Sequence, residues 1–345
     1  MTATGIVCTV MTATDTRRVP RPGPPVAAAL AVPSTGSNFM RIFVTGASGW
    51  IGSAVVAELL AADHEVLGLA RSDASAEAVA AAGAGAEVRR GDIGDLDVLR
   101  AAARDSDGVV HLAFRHDVAF TGDFQSAVDS DLAAIEALGE ALAGSDRPLA
   151  IASGIAGVKP GAVATERDIA EPTPGAGGRV LNERAALAFA ERGVRSMSVR
   201  FAPTVHGGGD NGFIARVVAA DRAAGSAAYI GEGINRWPAV HRSDAARLVR
   251  LGIEGAPAGS VLHAVGEEGV AIRDVAEAIG RGLDLPVTSI TAEQAQAHFG
   301  FLAGFLALDM PASSALTREL LSWEPSGPGL VADLKQGHYF TAATT

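Results

Sequence analysis

The sequence predicts an α/β fold: a doubly wound, parallel sheet followed by a smaller, less regular C-terminal part. Three observations predict it. A glycine-rich turn, Thr45-Gly-Ala-Ser-Gly-Trp-Ile-Gly52, joins an apolar run to a helical one. Strand-like and helix-like runs then alternate as far as Arg200. The residues with chemical potential follow successive strands, at the edge where open parallel sheets bind ligands.

In chain order, Arg41–Thr45 reads as the first strand and Trp50–Ala62 as the first helix. Gly46 permits a tight turn, Gly49 lets backbone approach a pyrophosphate, and Gly52 lets helix pack on strand. Ser48, Trp50 and Ile51 complete a turn whose free N–H groups favour phosphates. The spacing is Gly-x-x-Gly-x-x-Gly, and its strand–helix setting favours nucleotide binding over a merely structural turn. Glu65–Leu69 is the second strand, ending at Arg71-Ser72-Asp73, and Ser75–Ala82 is an alanine-rich helix. Ala86–Arg89 precedes Gly91-Asp92-Ile93, Leu96–Ala103 is helical, and Gly108–Ala113 is the fourth strand. A long helix at Phe124–Leu142 leads to a fifth strand at Leu149–Ser153. A Gly/Pro/Ala loop to Gly178, a helix at Val180–Arg192 and a sixth strand at Arg195–Arg200 complete the regular part. Beyond Pro203 come helical runs at Phe213–Ala224, Ser243–Ile253, Ile272–Leu283 and Ala292–Phe299. Short strands are predicted at Ala228–Ile230 and Val261–Val265. The expected division is a disordered extension over 1–39, a dinucleotide-binding domain over 40–203, and a mainly substrate-binding part over 204–345. Some segments of that last part return to the main sheet.

Composition narrows the function classes. Hydrophobic content of 48% against 19% charged residues supports a large core in 345 residues. A net charge of −11 argues against nucleic-acid and anionic-membrane partners. Cys8 is the only cysteine, which excludes disulfides and a cysteine-rich metal centre, and no His/Asp/Glu spacing suits a metal. No apolar run approaches the roughly 18–20 residues of a membrane span. The Pro-rich residues 1–39 read as an extension before Met40, with an upstream start or a targeting role as alternatives, and the expected location is cytoplasmic.

With these residues on the page, the chain from Met40 to about Leu334 resembles the extended short-chain dehydrogenase/reductase family, also called the NAD-dependent epimerase/dehydratase family. The carriers are the glycine turn, Gly91-Asp92-Ile93, His111-Leu-Ala113, and the strand ending at Ser153. Val199-Arg-Phe-Ala-Pro203 with His206-Gly207, and Val240-His-Arg-Ser-Asp-Ala-Ala246, complete them. The resemblance implies a Rossmann-type fold, NAD or NADP as cofactor, and a small-molecule substrate. It implies that Asp92 contacts adenine, with Ile93 and Ala113 beside the cofactor, and that Pro203–Val205 holds the nicotinamide carboxamide. It also implies a homodimer pairing through Phe124–Leu142 and Val180–Arg192, whose alanine-rich faces permit close packing.

The chain departs from the family at the chemistry. Members use a Tyr-x-x-x-Lys pair after the fifth strand. Here the only tyrosines are Tyr229 and Tyr339, the only lysines Lys159 and Lys335, and none forms that pair. Counting back from Arg200, Glu183 takes the acidic position that follows the lysine by four. This puts Arg179 on the lysine position and Gly175 on the tyrosine position. The fourth-helix asparagine is missing as well. The chain thus resembles an atypical subgroup that keeps the cofactor site and lacks the standard acid.

Individual residues carry paired readings. Arg71, 25 residues after Gly46, with Ser72 beside it, suits the 2′-phosphate of NADP, so NADP is preferred over NAD; a solvated arginine is the alternative, and Asp73 complicates the choice. Arg179 could bond the nicotinamide ribose or sit on the surface. Ser153 could polarise a substrate carbonyl, with Gly154 contesting the register. His206 is a candidate general acid, or else a packed loop histidine. Tyr229 and His241 are further candidates. Trp237 and Arg236 would shape a pocket, Asp244 would cap the helix Ala245–Ile253, His111 reads as a satisfied buried histidine, and Lys159 as solvated. Two functions compete: a hydride-transferring oxidoreductase acting on a small carbonyl or alcohol, and a catalytically silent nucleotide sensor. A sugar-nucleotide epimerase or dehydratase is a weaker third, because such enzymes rely on the missing tyrosine.

Overall fold

The computed structural model describes residues 39–119, 122–172 and 177–341. The expectations for 1–38, Cys8 among them, and for Gly175 lie outside the described residues.

Strand β1 (Arg41–Thr45) alternates its side chains between the two faces of a sheet, and both faces are apolar: Ile42 and Val44 enter one buried cluster and Phe43 another. A strand buried on both sides needs helices on both sides. Helix α1 (Trp50–Ala61) covers the first face. Strand β2 (Glu65–Ala70), helix α2 (Asp73–Ala80) and strand β3 (Ala86–Arg90) follow. Helix α3 (Leu96–Arg104), strand β4 (Gly108–His111), a short helix α4 (His116–Ala119) and helix α5 (Phe124–Leu142) come next. Strand β5 (Pro148–Gly154), helix α6 (Gly177–Ala188) and strand β6 (Arg195–Phe201) complete the alternation. The second face is filled by Leu99 and Ala102 of α3, Ala134, Ile135 and Leu138 of α5, and Ala186 of α6.

Past β6 come strand β7 (Thr204–His206), helix α7 (Phe213–Ala224), and strands β8 (Ala227–Ile230) and β9 (Arg236–His241). Helix α8 (Arg242–Gly255) leads to strand β10 (Ser260–Ala264) and then β11 (Glu267–Ala271). Helix α9 (Ile272–Leu283), strand β12 (Val287–Ile290) and helix α10 (Ala292–Phe299) precede three short helices, α11 (Ala303–Leu306), α12 (Ala315–Leu321) and α13 (Leu330–Leu334). The main sheet has seven parallel strands in the order β10-β6-β5-β4-β1-β2-β3. This is a Rossmann-type doubly wound sheet. Its order reverses between β4 and β1, which opens a crevice at their carboxyl ends. Helix α8 returns to pack beside α1, and β10 pairs with β6. The remaining C-terminal elements build a lobe from a β11-β9-β7 sheet and a β12-β8 pair around their own core, which includes Trp237, Ile279 and Leu334.

Some boundaries differ from those the sequence predicts, for local reasons. Helix α2 starts at Asp73 because Ser72 and Ser75 form a reciprocal cap. The helix expected over Val180–Arg192 is α6 plus a 3₁₀ turn at Phe189–Arg192, which ends where Gly193 adopts φ +70°. Asp244 does not cap the helix it was expected to cap. That helix begins earlier, at Arg242, and the His241 ring takes the cap by accepting from the Ser243 N–H. Asp244 instead receives the N–H groups of Ser326 and Gly327 at 2.9 and 2.7 Å and pins the C-terminal segment. Strands β7, β9, β11 and β12 are short and lay hidden in sequence without a long apolar run to announce them.

Candidate cofactor and substrate site

The crevice is built from absent side chains. Gly46 stands at φ +68°, and a Cβ there would lie 2.9 Å from the Ala113 nitrogen at the end of β4. A Cβ on Gly52 would lie 1.9 Å from the Gly46 carbonyl oxygen, so no side chain fits. Gly49 is the N-cap of α1 and donates to the Gly46 carbonyl at 2.9 Å. No side chain caps α1 and no acid occupies its first turn, so its leading N–H groups face outward beside exposed Ser48. These features fit a pyrophosphate. Trp50 locks the turn from below. Its indole N–H donates to the Val205 carbonyl at 2.8 Å, and the Arg242 guanidinium stacks on the ring at 4.2 Å while donating to the Trp50 carbonyl. Val205 is therefore buried with its carbonyl engaged by Trp50, while Pro203 is half-buried and Ile51 packs toward the core.

Beyond β2, Arg71 is exposed and paired with Asp117 of α4 at 3.0 Å. The Ser72 hydroxyl is committed to the α2 cap, which redirects it from the phosphate role expected of it. Arg90, at the end of β3, donates to the Ser72 carbonyl at 2.6 Å and pairs with Asp73 at 2.8 Å. Asp92 is half-exposed with Arg115 3.8 Å away, and Ile93 is buried beneath it.

The corner between β5 and α6 has different chemistry. Arg179 donates to the Ala152 carbonyl at 2.9 Å and lies 4.3 Å over the Phe114 ring. One turn on, Glu183 is buried against Arg200 (Nε–Oε1 3.0 Å) and Ser198. Burial would raise the Glu183 carboxyl, but Arg200 and the hydroxyls of Ser153 and Ser198 hold it below the usual range. Below, His111 bonds Thr45 Oγ1 at 2.8 Å and Asp131 at 3.2 Å, and Asn182 donates to Asp131 at 2.7 Å. His111 is a buried, satisfied histidine.

Of the candidate acids, His206 and His241 come together with rings 5.6 Å apart, and Tyr229 stands apart from them. His206 is fully buried, with Nδ1 2.9 Å from Asp333 of α13. His241 caps α8, and its pKa is lowered by burial and by neighbouring His206. Both line a cavity of about 130 Å³ with Glu267, Arg318 and Gly327. Tyr229 packs within the lobe under Arg273, 5.0 Å from its ring. Arg236 is fixed by Asp309 and Trp237 is buried. Lys159 pairs with Asp168 at 3.0 Å; the Thr165 N–H, then Lys159, hold that carboxyl at about 2. What the structure adds is a group that sequence reasoning passed over. Phe114 and His116 follow β4 with rings 5.1 Å apart, and burial, then the charge of Arg179 and more weakly that of Arg216 on α7, lower the His116 pKa against the pull of Asp117. The only available signal was their place after the fourth strand, because the partner arginines lie 63 and 100 residues further on.

Comparison with known proteins agrees with this architecture. Residues 42–262 match the model of the NAD dependent epimerase/dehydratase family. An uncharacterized protein of Schizosaccharomyces pombe is 46% identical over 306 residues, covering 87% of this chain and all of that protein. One of Saccharomyces cerevisiae is 42% identical over 300 residues, covering 87% and 99%. Among solved structures, the dTDP-glucose 4,6-dehydratase DesIV of Streptomyces venezuelae, with NAD and TYD bound, superposes with TM-score 0.70 at 20% identity, covering 87% of this chain and 97% of that one. The UDP-glucose 4-epimerase of Thermotoga maritima, with UDP-glucose, gives 0.69 at 19%, covering 87% and 98%. Among the described residues, no helix is long and apolar enough to cross a membrane.

Proposed function

The chain belongs to the NAD-dependent epimerase/dehydratase family, and from that premise we propose that it is an atypical NADP-dependent oxidoreductase of the extended short-chain type. It would move hydride between nicotinamide and a small carbonyl or alcohol carbon. The carrying observation is the side-chain-free cradle at Gly46, Gly49 and Gly52 ahead of an uncapped helix. Bound NADPH supplies the hydride. Within the chain, the α1 N–H groups hold the pyrophosphate, Asp92 the adenine side, and Ala113 and Pro203 border the nicotinamide. Arg179 and Ser153 orient what lies at the β5 end. NADP is favoured over NAD because Asp73, the acid that could bind a ribose diol, is paired with Arg90, while Arg71 stands exposed at the end of β2. Orientation in a closed site supplies much of such a rate, so a standard tyrosine is not indispensable.

A second reading, a silent nucleotide sensor, is supported by Arg179 being committed to Ala152 and Phe114. The epimerase and dehydratase chemistry named for the structural neighbours is less supported, since the tyrosine it relies on is absent. The test is a fluorescence titration with NADPH and NADH, followed by loss of nicotinamide absorbance with a panel of aldehydes, ketones and enones. Tight NADPH binding with turnover is expected. Binding without turnover selects the sensor, and no binding overturns both.

A further inference from the structure

We propose, building on the cofactor site of the oxidoreductase reading, that Tyr339 is a positioning residue. Its hydroxyl ties together the two ends of the glycine loop at 207–210, which continues from the nicotinamide-bordering residues 203–205, and so makes the C-terminal segment part of the cofactor site.

Its own backbone holds this part of the chain weakly. Strand β7 has three residues, lies at the edge of the β11-β9-β7 sheet, and has β9 as its one strand neighbour among the described residues. It runs into Gly207, Gly208 and Gly209, which bring no side chain to fix a path. The missing constraint comes from the far end of the chain. The Gly207 N–H donates to the Tyr339 hydroxyl at 3.2 Å, and that hydroxyl donates to Asp210 Oδ2 at 2.9 Å. One phenol thus joins both ends of a three-glycine loop. Asp210 passes the constraint on, because its Oδ1 accepts from the Gly212 N–H at 2.6 Å, next to the start of α7. Burial raises the Tyr339 phenol and the Asp210 carboxyl alike, so the hydroxyl keeps its proton and stays a donor.

The loop leans on the glycine turn. A Cβ on Gly209 would lie 3.7 Å from the Trp50 ring, and the Trp50 indole donates to the Val205 carbonyl two residues before Gly207. Between them, His206 Nδ1 is held by Asp333 at 2.9 Å. The stretch from Val205 to Asp210 is therefore fixed by Trp50 from the cofactor turn and by Asp333 and Tyr339 from the C-terminal segment. That segment has an anchor of its own. The Phe340 ring covers Gly282, where a Cβ would lie 1.9 Å from it, and the Phe340 carbonyl accepts from Arg222 at 3.1 Å. Removing the Tyr339 hydroxyl thus leaves the segment docked and takes the partner from a buried N–H and a half-buried carboxyl. The strain falls on the loop beside residues 203–205. The pyrophosphate cradle keeps its own bond, from the Gly49 N–H to the Gly46 carbonyl.

The test compares two nucleotides on the full chain: NADPH, and 2′-phospho-ADP-ribose, which lacks only the nicotinamide. Each is titrated by calorimetry against wild type and Tyr339→Phe. NADH and ADP-ribose make the same comparison should the 2′-phosphate prove dispensable. Tyr339→Phe should weaken the dinucleotide about fivefold, the size of one lost hydrogen bond, and leave the ring-less probe within about twofold. The nicotinamide emission of the bound reduced cofactor should shift toward that of free cofactor. A variant that is partly unfolded weakens both ligands by the same factor, so the ratio of the two affinities still reports on the loop. An unchanged ratio, through no loss or through equal loss of both, would overturn the inference and leave the nucleotide site standing. Wild type that binds none of these nucleotides would overturn the nucleotide site and the role of Tyr339 with it.

Discussion

The two ends of the crevice are made in opposite ways. At β1 and α1 the site consists of backbone, and its specification is the absence of side chains at Gly46 and Gly52. At β5 and α6 it consists of side chains: Glu183 is buried in a network with Arg200 and Ser198, and Arg179 is held by the Ala152 carbonyl over the Phe114 ring. The first end leaves no substitution that keeps its geometry, so its chemistry follows from its glycines. The second can exchange groups while the scaffold persists, and in this chain it has a cation resting on a phenyl ring. A crevice of this kind constrains its first end more tightly than its second.

The largest expected effect would break the second end. Replacing Glu183 by Ala leaves the Arg200 guanidinium buried and unpaired, which costs about 3–5 kcal/mol. Chemical denaturation should show that loss. If stability fell by less than 1 kcal/mol, the buried pair would not be the anchor of this corner. Next comes the first end. Gly52→Ala forces a methyl into the Gly46 carbonyl, and overpacking of this kind costs about 1–3 kcal/mol. NADPH affinity should fall at least tenfold as the turn shifts. A variant that bound NADPH as well as wild type would remove the cradle from the cofactor site.

Arg71→Gln sharpens the comparison further, because it probes the first end through a side chain. Loss of the 2′-phosphate contact should weaken NADPH about tenfold, roughly 1.4 kcal/mol, and leave NADH within twofold. Equal weakening of both nucleotides would make Arg71 only the partner of Asp117.

How much of this was legible in sequence follows the same division. The strand alternation and the glycine turn were readable because period-two and glycine constraints are local. Counting back from Arg200 singled out Glu183 and Arg179, and the structure seats Glu183 against Arg200 and Arg179 on the Ala152 carbonyl. The fates of His206 and His241 were not, because each is decided by a distant segment: Asp333 claims one ring, and an earlier start of α8 makes the other a cap. Nor could sequence seat Arg179 on the Phe114 ring, since 65 residues separate the two.

The smallest expected effect tests whether the acid is truly absent from the positions that sequence favoured. The His241 ring accepts from the Ser243 N–H as the cap of α8. Asparagine is among the best residues at that position and presents an acceptor oxygen to the same N–H. His241→Asn should therefore shift the melting temperature little, within about 0.5 kcal/mol of stability. Asparagine cannot relay a proton near neutral pH. If His241 were the general acid, its loss would remove the roughly 10²–10⁴-fold that acid–base catalysis contributes. Turnover within twofold of wild type, measured with whichever panel carbonyl oxidises NADPH, is the outcome the cap geometry requires. A hundredfold loss at unchanged stability would return the proton to this histidine and draw the β7–β9 cavity into the active site.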